Sequence, residues 1–175
     1  MRASVFVGVS VDGFLARPDG AFDFLDEGGN EPHGYEEFMA SVDLLVIGRK
    51  TYETVLGFES WPYGTKAVFV LSTGPLASAP AGAVVERLAG PPREIVAILE
   101  ARGYRHAYVD GGLTIQGFLA AGLIQRLTIT RVPVLIGRGI PLFGDLSSDA
   151  RLRHIATRAY PSGLVQSEYE VLVGD

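Results

Sequence analysis

Gly48-Arg49-Lys50-Thr51, launched from the apolar run Leu44-Leu45-Val46-Ile47, sets two cations and a hydroxyl at a strand-to-helix corner. An apolar run of this length that ends in glycine reads as a buried strand, and Thr51-Tyr52-Glu53 opens a helix. Backbone N–H groups and the helix dipole favour an anion at such a terminus, and Arg49 and Lys50 add full charges. The chemistry is phosphate binding, in a protein with only two lysines. Taken alone, the segment also fits a corner with two solvated charges.

Three further strand ends carry suggestive residues: Ser10-Val11-Asp12-Gly13, Leu71-Ser72-Thr73, and Asp110-Gly111-Gly112 leading into a helix. In an open parallel sheet, ligands bind outside the carboxyl ends of the strands. Two helix N-termini at one edge, one basic and one glycine-rich, suit a dinucleotide pyrophosphate, because glycine lets the backbone approach phosphates closely. Asp12 is the best-placed acid, although an aspartate before Gly13 also fits a simple turn. Phe22, Phe24, Tyr35 and Trp61 offer flat walls for a heterocycle, and aromatics near loops serve equally as core plugs. Gly137-Arg138-Gly139 reads as a substrate-phosphate contact or an exposed turn. His33, His106 and His154 lack metal-ligand spacing, so no metal site is expected. The absence of a Gly-x-Ser-x-Gly elbow argues against a serine hydrolase.

The elements that must position these residues alternate. Strands are predicted over 4–10, 43–48, 66–71, 83–86, 106–109 and 126–136, the last bent or at an edge around Pro133. Helices are predicted over 35–41, 50–56, 91–102 and 113–121, the last stopped by Gly122. The stretch 12–32 reads as one long loop. A hairpin, 152–160 and 164–173, ends the sequence, with Val165, Tyr169, Val171 and Val173 on one face. Repeated strand–helix–strand order gives an α/β fold: a mainly parallel sheet with helices on both faces, finished by antiparallel strands. At 175 residues a single domain over 1–175 is expected.

Composition narrows the function classes. There is no cysteine, which removes disulfides, thiolate metal sites and a cysteine nucleophile. A net charge of −5 without long runs argues against a nucleic-acid surface. No signal-peptide pattern or membrane-length apolar run is present, so a soluble cytoplasmic protein is expected.

The order Val11-Asp12-Gly13-Phe14-Leu15-Ala16, then Ile47-Gly48-Arg49-Lys50-Thr51-Tyr52-Glu53, then Val70-Leu71-Ser72-Thr73, then Val109-Asp110-Gly111-Gly112, resembles the dihydrofolate reductase-like superfamily. Within it the protein is most similar to the riboflavin-biosynthesis reductase (RibD C-terminal) branch, through Phe118–Ile124 and Pro133–Gly139, over roughly residues 4–173.

The resemblance implies an NADPH-dependent reductase. Arg49, helped by Ser72 or Thr73, would hold the 2′-phosphate; Lys50 and Thr51 would hold the pyrophosphate, and Gly48 and Leu71 would line the cofactor. Gly111, Gly112, Leu113 and Thr114 would form a second cradle, and Gly8 and Ala16 would face the nicotinamide. The family often places a cis peptide in the glycine turn, which predicts one within Asp110–Gly112. Asp12 would be the catalytic acid, and Phe24, Tyr35 and Thr130 would meet the substrate. That substrate is a small heterocycle or a ribosylaminopyrimidine phosphate, as in 5-amino-6-(5-phosphoribosylamino)uracil reduction. Folate-reducing members carry an acid where Pro32 stands here, with Glu31 and Glu36 only nearby, which disfavours dihydrofolate. A protein of this fold that binds a nucleotide without turnover is the other alternative. Relatives commonly dimerise, which makes the apolar face of the C-terminal strands a candidate surface for a homodimer.

Overall fold

A computed structural model of the protein describes residues 1–28 and 31–172. In sequence order it contains β1 (Arg2–Ser10), β2 (Phe14–Ala16), a 3-10 turn (Asp23–Gly28), α1 (Tyr35–Ser41), β3 (Leu44–Gly48) and α2 (Arg49–Leu56). β4 (Ala67–Leu71), β5 (Val84–Leu88), α3 (Pro92–Ala101), β6 (His106–Asp110) and α4 (Gly112–Ala120) follow. β7 (Arg126–Val132), β8 (Ile140–Pro141), β9 (Leu152–Ala159) and β10 (Val165–Val171) complete the fold.

Eight strands form one sheet in the order β5-β4-β3-β6-β1-β7-β10-β9, and β2 pairs with β8 in a second, small one. β5 through β7 in that order run parallel, while β10 is antiparallel to both β7 and β9. This is the dihydrofolate reductase-like arrangement: a mostly parallel sheet flanked by helices and ended by an antiparallel hairpin.

Covering both faces explains the unbroken apolar strands. Leu44 and Val46 of β3 pack with Ile95 and Leu99 of α3 and Ile115 and Phe118 of α4. Leu45 and Ile47 point the other way, toward Tyr52 and Val55 of α2 and the partly buried Phe38 of α1. The apolar face of β10 also turns inward: Tyr169 and Val171 pack on the α3–α4 side of the core. That face is only partly covered: Val165 stays exposed, as do Leu152 and Ile155 of β9 and Leu172.

Three boundaries differ from the sequence pattern. β7 stops at Val132, because Pro133 has no N–H to give the ladder. The stretch read as one long loop holds β2 and the 3-10 turn, since Phe14–Ala16 finds Ile140–Pro141 as a distant partner. Val173 lies outside the described residues. Among those that are described, no helix is long and apolar enough to cross a membrane.

The starts of β3 and β6 are stapled by Asp43. One carboxylate oxygen accepts from the backbone N–H of Arg105 and of His106, each at 2.8 Å. These bonds hold its pKa below the usual carboxylate range, Arg105 first and His106 second. A depressed carboxyl pKa contributes stability above the unfolded value, and that stability is lost as pH falls through the folded one. Asp43→Ala should cost about 1 kcal/mol at pH 7, the low end for a charge-assisted bond because the side chain is exposed. Urea titrations of both proteins at pH 7 and near pH 3 check this: the gap should narrow at the lower pH.

Candidate active site

β3 and β6 are neighbours in register, Ile47 opposite Asp110, so the corners that follow them lie side by side. At the first, Gly48 is the N-cap of α2; at the second, Gly111 is the N-cap of α4. Neither helix has a side-chain cap, and neither carries an acid in its first turn. Both N-termini therefore keep free N–H donors and an uncompensated positive end.

The two corners interlock through glycine and threonine. A Cβ on Gly48 would lie 2.9 Å from Thr114 Oγ1, and one on Gly111 would lie 2.5 Å from Thr51 Oγ1. Gly111 also has φ +95°, a conformation that side chains disfavour. The positive φ makes the turn without the expected cis bond: the Asp110–Gly112 segment is trans throughout. Gly112 in turn faces Ile140, Leu15 and the Pro141 carbonyl, which brings the β2–β8 pair against the start of α4.

Beside this pair of corners stands the turn after β4. Ser72 Oγ donates to the Gly74 carbonyl at 2.9 Å and accepts from its N–H at 3.2 Å. Arg49 reaches over the turn, one guanidinium nitrogen 3.2 Å from where a Gly74 Cβ would be. Its Nε donates to Glu53 at 2.7 Å. Lys50 and Thr73 are exposed and Leu71 is half-buried. Leu113 is 80 % exposed at the mouth of the second corner, a large apolar side chain open to solvent.

Two acids behave differently from what sequence position suggests. Asp12 turns away from the corners. Its carboxylate accepts from Gly137 N–H at 2.8 Å and Ile136 N–H at 3.3 Å. The Ser10 hydroxyl first, and these N–H groups, lower its pKa, so it is a turn anchor and a poor proton donor. Asp110 has the opposite character. One of its oxygens accepts from Gly111 N–H at 2.8 Å, and among the described residues no cation pairs with it. Burial raises its pKa. Its charge reaches the phenols of Tyr35, Tyr63 and Tyr108, whose own pKa values are raised chiefly by burial. Tyr108 spends its proton on the Phe6 carbonyl at 2.8 Å. The sequence signal for Asp110 is a lone acid closing an otherwise apolar strand, which on its own reads only as part of the glycine turn.

The sequence pattern of the RibD C-terminal domain matches residues 76–166. The uncharacterized Bacillus subtilis (strain 168) protein YwjB is 31% identical over 162 residues, 91% of this chain and 92% of that one. This protein belongs to the RibD C-terminal domain family. A crystal structure from Shewanella sp. PV-4, assigned to riboflavin biosynthesis, superimposes with TM-score 0.90 at 38% identity, covering 99% of this chain and all of that one. Dihydrofolate reductase from Enterococcus faecalis, complexed with NADP(H), shares the fold at TM-score 0.60 and 19% identity, covering 97% and 94%.

Within this RibD C-terminal domain, the residues expected to meet substrate divide. Tyr35 is half-buried, in edge contact with Phe6 at 5.6 Å, and shares Asp110's field. Phe24 is only 1 % exposed, and Arg17 lies over its ring, so it is a core plug. Thr130 is buried and its hydroxyl accepts from Gln166 at 3.0 Å. A Cβ on Gly8 would lie 3.0 Å from Leu25, so the space over it is filled by the 3-10 turn. The Ala16 carbonyl is packed against Gly139. Glu31, before α1, accepts from Ser162, and Glu36 and Glu37 of α1 are exposed. A hollow of about 780 Å³ opens elsewhere, between α1 and strands β1, β7, β9 and β10, and none of the corner glycines or threonines lines it.

The interlock makes a specific expectation. Gly48 has an ordinary φ of −77°, so the cost of Gly48→Ala is steric and Thr114→Ala should restore most of it. Gly111→Ala should lose about 1–3 kcal/mol, and Thr51→Ala should restore only part, because the left-handed backbone remains strained. Denaturant unfolding of the four single and two double variants measures both.

Proposed function

We propose that the protein is an NADPH-dependent reductase acting on a small heterocyclic or ribosylaminopyrimidine-type substrate, in the manner of 5-amino-6-(5-phosphoribosylamino)uracil reduction. The observation that carries this reading is the pair of interlocked, uncapped helix N-termini beside a turn held under Arg49. Glycine at 48 and 111 leaves the backbone bare where a pyrophosphate would approach, and Thr51 and Thr114 bring hydroxyls. Arg49 and Ser72 suit a 2′-phosphate, since a guanidinium fork matches phosphate oxygens. Bound NADPH supplies a hydride. The protein's own task is then to orient the ring, exclude water and hold a proton.

Asp110 fits the last role. Gly111 N–H donates to its Oδ1, and burial, opposed by that bond and by the Tyr108 hydroxyl, raises its pKa and favours a retained proton. Tyr35 and Tyr63 supply apolar walls around it while keeping their own protons, their pKa values raised by burial. Family membership and fold support the reductase class. Pro32, where folate-reducing members carry an acid, weighs against dihydrofolate as substrate.

Calorimetric titration should give tighter binding of NADPH than of NADH. Arg49→Ala should weaken NADPH by about 1.5–3 kcal/mol, the scale of a charged hydrogen bond, and leave NADH nearly unchanged. Equal losses for both cofactors would remove the role given to Arg49, and no binding of either would favour a ligand carrier without turnover.

Asp110 governs pH dependence. A proton donor works only while protonated, so turnover should fall as pH rises through its raised pKa. Asp110→Asn should flatten that limb and lower kcat by about 10²–10⁴-fold, the usual worth of a general acid, with NADPH affinity retained. A raised carboxyl pKa also means stability present below the unfolded value and lost as pH rises through the folded one. Melting curves should therefore show Asp110→Asn gaining on wild type as pH increases.

A further inference from the structure

The turn under Arg49 is reached by a second arginine, from the neighbouring strand. Arg87 lies on β5, the edge strand, directly opposite Val70 of β4. Paired residues of neighbouring strands share a face. Val70 packs with the α2 side of the core, so Arg87 stands on the same face as α2 and Arg49. From there its guanidinium donates to the Ser72 carbonyl at 3.2 Å. Arg49, descending from the start of α2, occupies the space left by the missing side chain of Gly74. Two guanidiniums from different elements thus converge on one three-residue turn, Arg87 at the Ser72 carbonyl and Arg49 at Gly74.

The charge pattern is selective. Arg49 has Glu53 as a counter-ion, and on the other face of the sheet Arg102 has Glu86. Among the described residues no carboxylate pairs with Arg87, and one of its five N–H donors goes to a neutral carbonyl. Holding a long side chain in one place costs rotamer entropy, and a single exposed bond to a carbonyl offsets little of it. A dianion at the turn would use the remaining donors. A phosphate monoester bridged by two guanidiniums gains charge-assisted, directional bonds that a diol in the same place cannot make.

We infer that Arg87 is the second arm of the clamp for the 2′-phosphate, and with Arg49 determines the preference for NADPH over NADH. This rests on the cofactor reading proposed above. Because Arg87 is bound at the far edge of the turn, it acts on the phosphate alone and not on the pyrophosphate or the reacting ring.

The test is calorimetric titration of wild type, Arg87→Ala and Arg87→Lys with NADPH, NADH, adenosine 2′,5′-bisphosphate and AMP. Arg87→Ala should bind NADPH and the bisphosphate about tenfold more weakly, while NADH and AMP are unchanged within error. Arg87→Lys should recover part of the loss, keeping the charge and losing the fork. Unchanged NADH affinity also shows that the variant is folded. If wild type prefers NADPH and Arg87→Ala keeps the same preference, Arg87 has no part in the clamp and the cofactor reading survives. If wild type shows no preference between NADPH and NADH, both assignments fail together. Equal weakening of all four ligands would make Arg87 a structural residue of the β4–β5 edge.

Discussion

Everything at the strand-end edge depends on how closely the ends of β3 and β6 approach. Their register sets Ile47 beside Asp110, and the backbone leaves both strands into helices at once. With that spacing, each corner has room for the other's threonine only because it carries a glycine itself. The constraint propagates outward. Gly112 continues the bare backbone and lets Ile140 and Leu15 close in, which positions the β2–β8 pair. Asp12 then ties the far side of that pair to the Ile136–Gly137 turn. A bulkier corner would separate the two N-termini and loosen the β2–β8 pair with them.

Electrostatics at this edge is a contest between two effects of comparable origin. Asp110 immediately precedes the N-cap of α4, where the helix dipole and the Gly111 N–H both favour an ionised carboxylate. A helix terminus is worth about 0.3–1 kcal/mol at the surface and ~2 kcal/mol when partly buried. Removing a carboxylate from water costs more than that when no cation pairs with it. Here the surroundings are phenols and apolar strand residues, and the pKa is raised, so burial wins. Asp12 makes the complementary case: at an exposed turn, the bond from Ser10 first, with two N–H groups, outweighs desolvation, and its pKa falls.

The contrast shows what the sequence could and could not disclose. Apolar runs ending in glycine place the strand ends, and Arg49-Lys50-Thr51 announces the anion-binding corner, because those signals are local and periodic. The boundary at Val132 is missed by a few residues since the apolar pattern runs past a proline that the ladder cannot use. β2 and β8 are three and two residues long and pair across more than a hundred positions, so no local pattern marks them. Asp110's character comes from Tyr35 on α1, Tyr63 in the loop after α2 and Tyr108 on its own strand. Only the folded protein assembles that environment. Phe24 fails as a substrate wall for the same reason: its aromatic face is visible in the sequence, but the Arg17 that covers it is not.

The location of the acid has a consequence for what the fold can reduce. An acid on the first helix would approach a bound ring from its rim, where an aminopyrimidine presents donors that a carboxylate can accept. Here the approach to α1 offers Pro32, and Glu31 is committed to the Ser162 turn. The acid instead rises from the floor of the sheet, at the end of a central strand and next to the cofactor-type corners. A protonated carboxyl in that position donates to an atom lying over the strand ends and does not grip the rim of a fused ring. If the proposed reduction holds, such a geometry would suit protonation of an acyclic imine or carbonyl group. Under the proposed reductase activity, recognition of the remainder of the substrate would fall to groups outside Asp110, such as those of α1 and the loop after α2.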